Sequence, residues 1–248
     1  MSKFEKPQKG NPYRLSVEQH TFPSKSIARF AGPDGRVQLH AQSAGSTRRA
    51  KPTDPIFCTR RAWDHGTEAG FTKRIEDRFQ RLAESIIDDQ ALGFDREQTH
   101  TISSFYALWL ARSEIREQPG DGLLMHGLLP GVALSKEKEE RLEKTGYAFA
   151  RGLQIPNRVL NGLRIRALVM RYLRENRFAE WGVVHASSGE FLVPDWPVYQ
   201  FVPIKPTLAL AKPAMNQTLD RNAVGLVNKQ LRSVSRRYFF GKDLAACP

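Results

Sequence analysis

The spacing of hydrophobic and polar positions changes twice along this chain, dividing it into thirds. Near the start, Gln19-His20 precede Phe22-Pro23-Ser24, and Ile27 and Phe30 fall three apart on one helical face. A short helix is expected there, capped by Ser24 and pinned by Phe22, Ile27 and Phe30, with Gln19 and His20 at its entrance. Gly32-Pro33-Asp34-Gly35 reads as a turn. Val37, Leu39 and Ala41 then alternate with polar residues, the period of a half-buried strand. Residues 47–51 read as the return strand of a hairpin, and 56–59 as a third strand.

From Phe71 the period becomes helical. Ile75, Phe79, Leu82 and Ile86 predict one helix, and Ile102, Phe105, Trp109 and Leu110 predict a second over about 101–117. Arg112 lies on the edge of that second stripe, where an arginine either snorkels to water or is held by a buried carboxylate. Pro119 to Ser135 is a Gly/Pro-rich apolar connection carrying Leu123, Leu124, Met125, Leu128 and Leu129, read as a packed loop, a lid or a patch for a protein partner. Beyond it, Glu137, Glu139, Glu140 and Glu143 face Lys and Arg at helical spacing, the pattern of a solvated helix.

In the last third Pro156 starts a helix. Val159, Leu160, Leu163, Ala167, Met170 and Leu173 are its expected buried side, and Arg164, Arg171 and Arg174 a basic stripe. Strands are expected from Trp181, at 191–193, at 198–202 and at 207–211, interrupted by prolines. A final helix, capped by Asp220, is expected to bury Val227, Leu231, Val234 and Tyr238. Lys229, Arg232 and Arg236 lie on its other face, and Phe239-Phe240-Gly241 closes it.

The 248 residues, 40% hydrophobic with 14 Phe, 6 Tyr and 4 Trp, suffice for one well-packed domain. That domain is expected over 15–248, with the Lys/Pro/Gly-rich residues 1–14 as a flexible basic arm. No apolar run reaches the roughly 18 residues of a membrane span, and the polar start does not read as a secretory signal. Cys58 and Cys247 are too few for a disulfide framework. A reduced, cytoplasmic protein is the expectation.

Charge sharpens this picture. The net charge is +12, with 12 basic against 4 acidic residues over 1–61, 11 against 16 over 62–150, and 15 against 6 over 151–248. Two basic ends around an acidic middle suggest an α+β fold in which a small antiparallel sheet gathers strands from the N- and C-terminal thirds and packs with a helical middle. The basic ends would then share one face attractive to nucleic acid.

Specific chemistry is sparse. The six histidines are scattered, with no Cys-x-x-Cys or His-x-x-x-His pair, and no phosphate-binding or nucleophile-elbow motif occurs, so neither a metal nor another cofactor is implied. Pro194-Asp195 after an apolar strand matches the first half of a metal-dependent nuclease core; the Asp/Glu-x-Lys half is missing before Lys205.

The order of landmarks does resemble one family. Gln19-His20-x-x-Pro23-x-x-x-Ile27-x-x-Phe30, Gly35-Arg36-Val37-Gln38-Leu39, Ile75-Glu76-x-x-Phe79 and Phe105 to Arg112 follow one another in the order of its motifs. Phe191 to Val198, Val202-Pro203-Ile204, Val227-Asn228 and Arg236 to Phe240 continue that order. The chain thus resembles, from about 19 to 241, the family catalogued as domain of unknown function 4238, mostly bacterial and phage proteins. Pro194 stands where that family carries a hydroxyl, and Pro203-Ile204-Lys205 lacks its serine. The resemblance implies a shared fold with a closing aromatic helix, and brings no activity with it.

Two function classes follow. In the first, the protein is nucleic-acid-associated and nuclease-like, serving defence or mobile-element biology. Arg164, Arg171, Arg174, Lys229, Arg232 and Arg236 would hold phosphates, and Gln19, His20, Arg112 and Asp195 would converge in a catalytic site. His20 would act as general acid/base oriented by Asp195, with Arg112 stabilising phosphoryl charge. In the second, the protein is a non-catalytic interaction or structural protein whose His–Arg–Asp cluster is satisfied internally.

Overall fold

A computed structural model describes residues 5–89, 93–118, 120–126, 133–213 and 216–248. Strand β1 (Glu18–His20) leads into α1 (Ser24–Ala28), the hairpin β2 (Val37–Ala41) and β3 (Ser46–Ala50), and β4 (Cys58–Arg60). A wide π-type helical turn, Thr67–Thr72, runs into α2 (Lys73–Asp89), followed by α3 (Arg96–Glu117). Then come β5 (Leu123–Leu124), α4 (Lys136–Lys144), β6 (Gln154–Ile155) and α5 (Asn157–Glu175). Strands β7 (Gly182–Ala186), β8 (Val193–Pro194), β9 (Phe201–Lys205), β10 (Leu208–Ala211) and β11 (Gln217–Leu219) precede α6 (Arg221–Val234) and β12 (Tyr238–Gly241).

The α+β architecture is the expected one. An antiparallel sheet in the order β3-β2-β12-β8 joins the N-terminal hairpin to C-terminal strands, with Leu39 opposite Phe240. A second sheet, β11-β7-β10-β9, is drawn from the C-terminal third and includes one parallel pair, β11 with β7. Helix α3 is buried on nearly every side from Thr101 to Arg116. Its Ile102, Phe105, Tyr106 and Trp109 share one core with Phe22, Ile27 and Phe30 near α1, Phe79 of α2, and residues of both sheets. Phe79 stacks on Phe105 with ring centroids 3.6 Å apart. No described helix is long and apolar enough to cross a membrane.

Several local expectations are corrected. Pro23, not Ser24, takes the N-cap position of α1, and no side chain caps it. Gln19 and His20 belong to β1, paired with Thr59 and Cys58 of β4. Tyr238 does not extend the last helix, because α6 stops at Val234. Instead Tyr238–Gly241 is a strand between β2 and β8, which buries Tyr238 and Phe240 with alternating period. The closing aromatic helix implied by the family resemblance is therefore a strand here.

Helix α5 is turned relative to its expected orientation. Its buried face is Arg158, Val159, Asn161, Gly162, Ile165 and Val169; of the expected apolar side Val159 is buried, while Leu163 and Met170 stay 55% and 62% exposed. The cause is Gly162: a Cβ there would lie 1.7 Å from Asp64 Oδ2 and 2.5 Å from Thr67 Oγ1. The helix approaches the π-type turn through a residue without a side chain, and Asn161 Nδ2 donates to the Ala62 carbonyl at 2.8 Å beside it.

Helix α4 is not a solvated element. Glu139, Glu140 and Glu143 are buried; Glu139 and Glu143 meet cations from other segments, and Glu140 meets the Gln8 amides. Glu143 Oε2 accepts from Arg61 NH2 at 2.7 Å and Arg158 Nε at 2.8 Å. Glu139 accepts from Arg151 Nε at 2.7 Å. Over its described residues 5–14, the expected arm lies against these helices: Gln8 N donates to Glu140 Oε1 at 2.8 Å, and Glu5 pairs with Arg151 and Arg158. In the 119–135 connection, Leu123 and Leu124 form β5 against β6 and are half exposed. Leu128 and Leu129 lie outside the described residues.

Candidate functional site

The four residues nominated for a catalytic site separate into distinct environments. Gln19 is fully buried; its Nε2 donates to the Trp63 carbonyl at 2.9 Å and its Oε1 accepts from Trp63 N at 3.2 Å. It therefore stands in for a backbone partner across β1 and the Trp63 segment, with no amide end left for a ligand. His20 is half-buried, with Nε2 3.1 Å from the Pro52 carbonyl oxygen. A carbonyl only accepts, so Nε2 carries the proton of the neutral ring and Nδ1 is the acceptor nitrogen.

Arg112, 1% exposed, is held by carboxylates, but not by Asp195. NH2 donates to Glu68 Oε2 at 2.9 Å and to Thr72 Oγ1 at 2.8 Å, and NH1 pairs with Glu76. Its guanidinium carbon also sits 5.4 Å from the centre of the Trp63 ring, a cation–π distance. Burial alone would lower its pKa; Glu68 and Glu76 more than offset this and hold it above the ordinary arginine value.

Asp195 is bound one turn further along α3, by Arg116. Arg116 NH2 donates to Asp195 Oδ2 at 2.7 Å, Arg236 N to Oδ1 at 2.8 Å, and Arg237 N to Oδ2 at 3.1 Å. Arg116 NH1 also reaches Thr21 Oγ1 at 3.3 Å, tying the residue beside His20 into the cluster. Burial pushes the Arg116 pKa down, but the Tyr238 oxygen and the Asp195 carboxylate outweigh it and keep the guanidinium charged. Both Asp195 oxygens are thus occupied by donors from its own chain, and the side chain is fully buried.

His20 and the Arg112 cluster do share a small cavity of about 210 Å³, lined also by Lys25, Lys73, Asp77 and Gln80. Asp195 is not part of it. Among the described residues, no group of three or more His, Cys, Asp and Glu side chains is placed to hold a metal ion.

A much larger cleft, about 1030 Å³, lies on the other side of α2. Arg74 and Arg78 project into it from α2, Arg96 and His100 from the start of α3, and Arg174 and Arg177 from the end of α5 and just beyond. Phe71, Phe94, Met170 and Phe178 supply apolar lining. At 100° per residue, Arg74 and Arg78 point about 200° away from Glu76 and Gln80, which line the small cavity. The helix itself therefore separates the His20 cavity from the cleft. Arg74, Arg78, Arg96 and Arg174 are exposed and form no ion pair or hydrogen bond among the described residues. Asp95 and Glu180 also line the cleft; the Asp95 side chain is engaged in capping α3 through Gln98 N.

Of the six residues nominated for phosphate contact, Arg174 lines this cleft. Arg164 sits beside Glu114, 4.0 Å away, and donates to Asn161 Oδ1; Arg171 is exposed on α5. Lys229, Arg232 and Arg236 lie on or after α6, which packs on β8 and β11 through a core of its own. Arg232 donates to the Cys247 carbonyl at 2.5 Å, and Arg236 stacks on Trp196 with 3.5 Å to the ring centre. The two basic stripes thus stand on different elements with different cores. The acidic composition of their third of the chain masks Arg74, Arg78 and Arg96; the i, i+4 spacing of Arg74 and Arg78 is the signal that marks the first two.

No protein-family model, no curated protein and no solved structure matches this chain.

Proposed function

We propose that this protein binds nucleic acid in the arginine-lined cleft, and that Gln19, Arg112 and Asp195 hold the fold together and, with the half-buried His20, catalyse no reaction. The cleft carries the reading: five arginines from three elements converge on one concavity that also offers aromatic side chains. Phosphates would displace counterions from those arginines, and the concave shape concentrates their field. A non-catalytic role is supported by the occupancy of Asp195 and Gln19: both Asp195 carboxylate oxygens accept from Arg116 and the Arg236 and Arg237 backbone, and both ends of the Gln19 amide pair with the Trp63 backbone. It is further supported by the position of His20, behind α2 from any strand lying in the cleft. Nuclease-like chemistry needs the base and the phosphate together, and α2 keeps His20 apart from a phosphate in the cleft.

Kinship with the domain of unknown function 4238 family is likewise proposed, on the order of the motifs. The Arg112–Glu76 ion pair supports it by joining two of them.

The test is charge reversal with a matched control. Arg78→Glu combined with Arg174→Glu is expected to abolish binding to a labelled oligonucleotide. Lys229→Glu with Arg171→Glu, which changes charge equally outside the cleft, should leave most of it. Equal losses in both pairs would remove the cleft from the account.

A further inference from the structure

We infer that the cleft takes single-stranded nucleic acid and seats a base on Phe178, an inference resting on the reading that the cleft binds nucleic acid at all. Phe178 is 83% exposed at the cleft, the most exposed large hydrophobic side chain among the described residues. Leaving a phenylalanine in water forgoes the stabilisation its burial would give.

The ring is presented by a fixed turn. Ala179 N donates to the Asn176 carbonyl and Asn176 N to the Tyr172 carbonyl, both at 2.9 Å. Lys212 Nζ donates to Asn176 Oδ1 at 2.8 Å, and the next residue, Ala179, is buried in the main core. With its neighbours anchored on both sides, Phe178 projects outward. The Arg177 guanidinium carbon lies 4.6 Å from its ring centre, which steadies the ring by a cation–π contact and places a positive charge beside it.

This pairing of an aromatic platform with a basic track is the chemistry of single-strand recognition: every base has a π-face, and the backbone beside it has a phosphate. A duplex keeps its bases stacked on one another and offers the arginines phosphates alone. Arg74 and Arg78 on one wall, Arg96 on the second and Arg174 on the third can follow a single backbone through the cleft. Met170 and Leu173 add apolar surface against which a second base can rest.

The experiment is fluorescence anisotropy with a labelled oligothymidylate of about 12 nucleotides. Comparison ligands are a duplex of the same length, heparin as a polyanion without bases, and phosphatidylserine vesicles. The single strand is expected to bind at least about tenfold tighter than the duplex at equal salt. Phe178→Ala should weaken the single strand about tenfold, the loss of one stacked base, while heparin binding is unchanged and Phe178→Trp restores the affinity. Equal affinity for duplex, an unaffected Phe178→Ala protein, equal weakening toward heparin, or preference for the vesicles would each overturn the inference. Duplex binding that still depends on Arg78 and Arg174 overturns this inference alone. Binding of neither strand form overturns the underlying reading with it.

Discussion

Arg112 carries two carboxylates on one guanidinium, and its removal leaves both Glu68 and Glu76 without a cation. Taking one partner from a buried ion pair costs about 3–5 kcal/mol. Glu68 and Glu76 keep 20% and 23% of their side-chain exposure, which places Arg112→Met at the low end, near about 3 kcal/mol by urea denaturation. His20 is a contrast: it contributes one hydrogen bond to a carbonyl and is half-buried, so His20→Ala is expected to cost about 1 kcal/mol. A fully stable Arg112→Met protein, or a His20→Ala protein that fails to fold, would reverse this ranking of the two residues.

Helix α5 owes its orientation to Gly162, and Gly162→Ala should test that directly. The added methyl meets Asp64 and Thr67, which are themselves hydrogen-bonded at 2.7 Å, so the helix must shift rather than the side chains. Overpacking of this kind costs about 1–3 kcal/mol, to be read as a lowered urea midpoint with unchanged slope. The same glycine explains why the sequence misleads about α5. The apolar stripe through Leu163 and Met170 looks like a core face, and only a close approach at Gly162 turns it outward. Helix α4 misleads for a related reason. Its glutamates read as solvated because their partners, Arg61, Arg151 and Arg158, are distant in sequence or beyond the helix. By contrast the β2–β3 hairpin, α2, α3 and α6 were legible, since each has a period or a cap that needs no distant partner. At Arg112 a buried carboxylate was foreseeable, but not its identity, because Glu68 and Glu76 come from the π-type turn and α2 and meet it only when those elements pack on α3.

The N-terminal segment adds a pH dependence. Burial pushes the Glu5 carboxyl up, but the bond from Arg151 and the charges of Arg158, Arg151 and Arg61 outweigh it and hold its pKa below the ordinary 4.5. A depressed carboxylate stabilises the fold above its ordinary pKa, and that stabilisation is lost as pH falls through the folded value. Proteolysis near residues 5–14 is therefore expected to accelerate as the pH falls below the ordinary 4.5 and on through the lower folded value. In Glu5→Gln it should be fast already at neutral pH and depend less on acid. An identical pH profile for the two proteins would show that Glu5 does not hold the segment.

For the molecule as a whole, the net charge of +12 is less informative than its placement. The arginine-lined cleft draws three of its five arginines from the acidic third of the chain, where several of the acids are turned to partners elsewhere. Glu68 and Glu76 neutralise Arg112, and Glu139 and Glu143 neutralise Arg151, Arg61 and Arg158. The cleft lining itself holds five arginines against two acids, Asp95 and Glu180, and so is net positive. The most direct test is the salt dependence of binding to a labelled single strand. Each phosphate neutralised by an arginine releases counterions and contributes a slope of about −0.7 in log K against log salt. With four or five arginines engaged, the slope should be about −3, falling toward −2 when Arg78 is replaced by Ala. A slope near zero, or no binding at low salt, would contradict the account.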